Sequence, residues 1–245
     1  MTANQGEIGD EHETFQLEHL VSENQWRIQS KQGNYWAVAG SSIAANCADA
    51  AQAGLFKLHW NEDGSCSLQV SGQGSHFGKW ICNRKSGQLC IGTVSNSPAG
   101  ANGGQAPAEP VSFQLRLQNR KAFYLRSAQA SGFVGLKTPD AGKLESAKGF
   151  PDSVQPVYDE PAVSGLGGCL FKMPANKRFW AIADGNLVRA DATSAACAQS
   201  WVIELRSATA ISIRTADTGL YLNNSAQGAL QVVACEPLKA TLWEF

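Results

Sequence analysis

Four histidines, seven cysteines and a thin scatter of carboxylates are the side chains of this 245-residue chain with chemical potential. His12 and His19 fall near an acidic start, His59 lies in an alternating apolar stretch, and His76 precedes Phe77. None belongs to a His-Glu-x-x-His zinc pattern, and no Gly-x-Ser-x-Gly nucleophile turn or phosphate-cradling Gly-x-x-x-x-Gly-Lys-Ser/Thr loop is written. Asp152, Asp159 and Glu160 come nearest to a carboxylate pair. General acid–base work needs carboxyls fixed on both sides of a substrate, whereas carboxylates gathered on a loop are simply solvated. Cys47, Cys66, Cys82, Cys90, Cys169, Cys197 and Cys235 are odd in number and widely scattered, with no Cys-x-x-Cys pair. They read as reduced, mostly buried thiols of a cytoplasmic protein, not as a zinc knuckle or redox site. The expectation is a chain that is not an enzyme and carries no metal or cofactor.

What remains is positive charge gathered locally. Arg84 adjoins Lys85, Arg116, Arg120 and Lys121 precede Arg126, and Lys137 is followed by Lys143 and Lys148. The net charge of −1 argues against a dedicated nucleic-acid or heparin binder, which needs a basic excess. A near-zero net charge still allows local positive clusters to act as binding surfaces. No apolar run approaches the ~18 residues of a membrane span. Met1 to Thr14 carries Glu7, Asp10, Glu11 and Glu13 without an apolar core, so it reads as an acidic flexible N-terminus and not as a signal peptide.

The elements that hold these groups repeat. An aromatic-x-apolar strand recurs at Phe15-Gln16-Leu17, Phe56-Lys57-Leu58 and Phe113-Gln114-Leu115, with variants at Val202–Leu205 and Leu242–Phe245. A second mark is an aromatic strand followed by a turn and Gly-x-Leu, with the glycines at Gly87, Gly142, Gly185 and Gly228. The last three are 43 residues apart, and the step from Gly87 to Gly142 is longer by about a dozen. That excess coincides with residues 93–110, a run of small residues, Pro and Gly that cannot bury enough apolar surface to order itself. In Gly33-Asn34-Tyr35-Trp36 the Gly-x-Leu is degraded to Ser42-Ile43. Ala44–Ala53 tolerates a helical turn, although Asn46 and Asp49 favour a loop.

A period near 43 with four short strands per unit suits a propeller blade or a β-trefoil lobe. The Trp-Asp signature of a propeller is missing, and a trefoil closes in threes. Five lobes are legible: 15–54, 55–112, 113–157, 158–200 and 201–245. The fold expected is all-β, with tandem β-trefoils. Residues 15–112 make a partial one of two lobes and 113–245 a complete one, closed by Leu242–Phe245 against the strand at Phe113. Counting in threes suggests a fragment or shortened isoform of a longer protein, with 15–110 its less stable half. The aromatics Tyr35, Trp36, Trp60, Phe77, Phe113, Phe133, Phe179, Trp180, Tyr221 and Trp243 are expected to fill the barrels. Gln199-Ser200-Trp201 fits the Gln-x-Trp pattern of trefoil lectins once, but Trp201 falls on a core strand.

Several segments in order carry a family resemblance: Ala3-Asn4-Gln5 leading to Glu13–Glu18, then Gly33–Trp36, Lys85-Ser86-Gly87-Gln88-Leu89, Leu117–Arg120, Gly132–Gly135 and Leu242–Phe245. With these the chain resembles fascin, the actin-bundling family of four tandem β-trefoils, over its C-terminal half. The resemblance implies a monomeric, cytoplasmic, cytoskeletal protein whose partner is F-actin, with neither nucleic acid nor membrane involved. Residue by residue it points to Arg84 and Lys85 on a basic turn, to Arg120 with Lys121 in place of a proline, and to Arg126 and Lys137. Arg116 joins them as a further actin-binding candidate by its place in the cluster. Neutral Ser65–Val70 and Asn223 replace basic positions of the family, so the implied filament affinity is weak. The alternatives are a trefoil that docks a protein other than actin and, with less support, a sugar-binding trefoil.

Overall fold

The computed structural model describes residues 14–72, 74–93, 110–115, 121–128, 132–138, 142–158 and 168–245. The described residues form strands, turns and single-turn 3-10 helices. The protein is all-β. It divides into two compact units, one of Met1–Asn61 and Ser65–Phe113, the other of Glu62–Gly64 and Gln114–Phe245.

The N-terminal unit holds β1 (Phe15–Leu20), β2 (Gln25–Ser30), β3 (Tyr35–Ala39), β4 (Ser42–Cys47), β5 (Phe56–Trp60), β6 (Cys66–Val70), β7 (Trp80–Asn83), β8 (Leu89–Gly92) and β9 (Ser112–Phe113). The strands β1-β2-β5-β6-β9 pair in that order, all antiparallel. The hairpins β3–β4 and β7–β8 meet through Ser42 and Cys90. Among the described residues no pairing joins β1 to β9, so the row of five stays open. Alternation turns Ile28, Phe56, Leu68, Val70 and Ile81 inward around Trp36. Trp36 meets Phe15, Phe56 and Phe113 edge-on at 5.3, 6.2 and 6.4 Å.

The C-terminal unit holds β10 (Arg126–Ser127), β11 (Phe133–Leu136), β12 (Leu144–Lys148), β13 (Gln155–Val157), β14 (Cys169–Met173), β15 (Arg178–Ala183), β16 (Leu187–Ala192), β17 (Ser200–Leu205), β18 (Ala210–Thr215), β19 (Tyr221–Asn224), β20 (Leu230–Val233) and β21 (Trp243–Glu244). Here the pairings return to their start. The ring runs β10-β21-β18-β17-β14-β13, and a bridge from Val154, just before β13, to Phe123, just before β10, closes it. A closed ring has no strand edge to protect. Three hairpins, β11–β12, β15–β16 and β19–β20, join one another through Lys143 with Arg189, Glu145 with Ala229, and Leu187 with Gln231. Inside lie Trp180, Trp201, Trp243 and Phe171, all fully buried. Phe171 stacks on Trp201 at 5.9 Å and meets Trp180 edge-on at 5.1 Å. Burying each large apolar side chain contributes about 2–3 kcal/mol.

The repeated Gly-x-Leu has a backbone cause. Gly87, Gly142, Gly185 and Gly228 have φ of 82°, 62°, 71° and 79°, a left-handed region that favours glycine, and each leads into the second strand of a hairpin. At Gly142 a side chain would also strike the Ala190 carbonyl, 2.8 Å from where a Cβ would stand. In the degraded copy the left-handed glycine is Gly40, one position earlier than the pattern requires.

Three expectations are corrected. Phe113 does not receive the C-terminal strand: it pairs with Cys66 in the N-terminal unit, and Trp243-Glu244 closes between β10 and β18. Phe77 is not barrel filling: it is 65% exposed on a turn bounded by Gly74 and Gly78, and the strand begins only at Trp80. Ala44–Cys47 is strand, and only Ala50–Gln52 makes a helical turn, with the Asp49 carboxylate accepting from the Ala51 amide at 2.9 Å. Trp60 and Phe133 are half-buried, whereas Tyr35, Trp36, Phe179, Trp180, Tyr221 and Trp243 are buried as expected. Residues 1–13, 94–109 and 159–160 lie outside the described residues.

Candidate functional site

The described cations among those singled out from the sequence occupy separate turns and strands. Arg84 and Lys85 sit on the β7–β8 turn, where the Arg84 amide donates to Gln88 and the Gly87 amide to Arg84. The Arg84 guanidinium donates to the Ser41 hydroxyl at 2.8 Å, a neutral partner that leaves its charge intact. Lys85 and Lys121 are exposed, and among the described residues no carboxylate pairs with either. Arg116 and Arg120 lie outside the described residues.

Two of the candidates are engaged within the fold. Arg126 on β10 lies directly opposite Glu244 on β21, and its Nε donates to that carboxylate at 2.7 Å. This pair fastens the closing strand of the ring, at 49% and 41% side-chain exposure. Lys137, just after β11, lies 3.7 Å from Glu145. Arg126 and Lys137 are therefore partly neutralised before any partner arrives.

Two arrangements were not read from the sequence. On the hairpin cap, Lys143 stands opposite Arg189. In the body of the unit, Glu204 is 2% exposed and accepts from Arg206, Arg214, the Ser212 hydroxyl and the Tyr221 hydroxyl. Glu204, Ser212 and Arg214 occupy positions where a strand pattern expects apolar or outward residues. The alternation Ile211, Ile213, Thr215 marks the other face, but nothing in the sequence brings Tyr221 to the same point.

No protein-family model and no curated protein matches the chain. Among solved structures it is similar to a mosquitocidal holotoxin, at 13% identity and TM-score 0.43, over 96% of this chain and 30% of that one. It is also similar to the GlcNAcα1-4Gal-releasing endo-β-galactosidase from Clostridium perfringens, at 9% identity and TM-score 0.46, over 91% of this chain and 62% of that one. The hemolytic lectin CEL-III gives 10% identity and TM-score 0.36, over 90% of this chain and 55% of that one. The chain thus spans less than two-thirds of each of these proteins. Likeness at this level carries no inference about activity.

The aromatic that the Gln-x-Trp pattern offers to a sugar is inaccessible, because Trp201 is fully buried. Gln199, half-buried beside it, donates to the Asp217 carboxylate at 2.8 Å and to the Ser200 carbonyl at 3.1 Å. Among the described residues, the large aromatics that do face solvent are Phe77, Tyr124 and Phe150.

Proposed function

We propose that the chain is a non-catalytic binding module made of tandem β-trefoils, the first with two lobes and the second with three, and that it engages another macromolecule through its outer turns and hairpins. The observation that carries this reading is the closed ring from β10 to β21, packed solid by Trp180, Trp201, Trp243 and Phe171 under a cap of three hairpins. A barrel filled by its own aromatics leaves recognition to the surface.

Its resemblance to fascin makes the actin filament the first partner to test. Among the described residues of that candidate set, Lys85 and Lys121 meet no carboxylate and Arg84 meets the neutral Ser41 hydroxyl, whereas Arg126 and Lys137 are tied to Glu244 and Glu145. Filament binding should accordingly be weak and salt-sensitive. In high-speed cosedimentation with F-actin at low salt, the chain is expected to pellet partially, and Lys85→Glu with Lys121→Glu is expected to release it. A folded chain that stays in the supernatant at every filament concentration would exclude actin and leave docking of another protein.

Sugar binding has one local observation in its favour, the surface pair Gln199–Asp217. With Trp201 buried, a sugar there would lack its stacking ring, so saturation-transfer NMR with galactose and N-acetylglucosamine is expected to give no contact.

A further inference from the structure

Three like-charged side chains lie in one row across the hairpin cap of the C-terminal unit. The Lys137 amide donates to the Lys143 carbonyl at 2.8 Å, which makes these two cross-strand partners at the tip of the β11–β12 hairpin. Lys143 then stands directly opposite Arg189 of β16, where the Ala190 amide donates to the Gly142 carbonyl at 2.7 Å. Residues directly opposite in an antiparallel pair project from one face with Cβ atoms about 4.5–5.5 Å apart. Lys137, Lys143 and Arg189 therefore form a ladder of cations one strand apart, and all three are exposed.

Like charges directly opposite each other destabilise a sheet. Glu145, two residues along β12 and on the same face, relieves Lys137 at 3.7 Å. Among the described residues no carboxylate pairs with Lys143 or Arg189. Among the described residues, then, Lys143 and Arg189 are the facing cations whose repulsion no ion pair relieves.

We propose that this row is a docking surface for an acidic protein segment. Carboxylates laid over Lys143 and Arg189 would cancel their repulsion, and the guanidinium can take a carboxylate through two parallel N–H donors. Glu145 within the row, and a net charge of −1 for the whole chain, disfavour a nucleic acid, whose phosphates offer Glu145 no donor. A protein segment can place a cation or an amide against Glu145 where a phosphate chain cannot. The proposal rests on the binding-module reading and assigns its partner a face.

The test measures binding of fluorescein-labelled deca-glutamate to the full chain by fluorescence anisotropy at low salt. Lys143→Gln with Arg189→Gln is expected to weaken binding at least about tenfold, against less than about twofold for the charge-matched control Lys57→Gln with Lys177→Gln. The row variant should unfold at the same temperature as the wild type or higher, because it removes a repulsion. Lys143→Gln alone should lie between the two. Equal losses in the row variant and the control would overturn the proposal, as would tighter binding of an oligodeoxythymidine than of the peptide. Filament pelleting separates the two readings: a chain that pellets with F-actin yet ignores deca-glutamate loses the row and keeps the module. Deca-glutamate binding through the row without filament pelleting supports the row.

Discussion

Arg214 holds Glu204 from the neighbouring strand: its Nε lies 2.7 Å from one carboxylate oxygen, and both side chains are buried. The other oxygen accepts from the Ser212 and Tyr221 hydroxyls, both at 3.1 Å, and from Arg206. A buried carboxylate is tolerated only when its lone pairs are met in this way. Removing one member exposes the cost of the rest. Glu204→Ala leaves Arg214 buried without its counter-charge and is expected to cost about 3–5 kcal/mol. Urea unfolding of the C-terminal unit checks this. Replacing Glu204 and Arg214 together by Leu and Met should recover part of the loss, since the more deeply buried guanidinium goes with its partner and only Arg206, at 22% exposure, is left without Glu204.

Stability should also report Tyr221 at high pH. Burial, then the charge of Glu204 and the hydrogen bond to it, push the phenol up to about 12, from about 10 in an unfolded chain. The fold favours the protonated phenol, so this contribution is complete below pH ~10 and fades as pH climbs through ~12. Tyr35, raised chiefly by its hydrogen bond to Glu18, adds a parallel decline from the N-terminal unit. Comparing unfolding midpoints of the wild type and Tyr221→Phe between pH 9 and 12 isolates the one residue. The variant's curve is expected to fall less steeply.

Closure should be visible in amide exchange. In the C-terminal ring β17, β18 and β14 are each flanked on both sides, whereas among the described residues β1 pairs only with β2. Strands with few backbone partners open at lower free energy. Deuterium uptake at Gln16–Glu18 is expected to run well ahead of uptake at Val202–Glu204. Equal protection would contradict an open row in the N-terminal unit.

The thiols give an independent readout of packing. Burial pushes the Cys169 thiol well up, and burial with the neighbouring Cys90 raises Cys82. Cys66 and Cys90 are buried too, while Cys197 is exposed. Iodoacetamide acts on thiolates that solvent can reach. Mass spectrometry of the native protein should find Cys197 alkylated first. Cys66, Cys82, Cys90 and Cys169 should stay unmodified until the chain is unfolded.

Strand periodicity and the Gly-x-Leu steps were legible from residue types because each reflects a local constraint: alternation of faces along a strand and a left-handed turn residue. Phe77 shows the limit of such reading. Its aromatic character suits a core, yet two left-handed glycines place it on a turn and give the inward position to Ile81. The same holds for charge. Arg126 and Lys137 look free in the sequence, and only register across the sheet sets Glu244 beside the first and Glu145 beside the second.

By itself the sequence determined the all-β character, the repeated hairpins and most of the aromatics destined for the interior, because those depend on side-chain size, polarity and backbone freedom within a few residues. Tertiary structure alone decided which strand closes the ring, which cations are neutralised and that Lys143 meets Arg189. Each of these is a pairing between segments tens of residues apart, fixed by how hairpins pack together and not by any property of the residues before they meet.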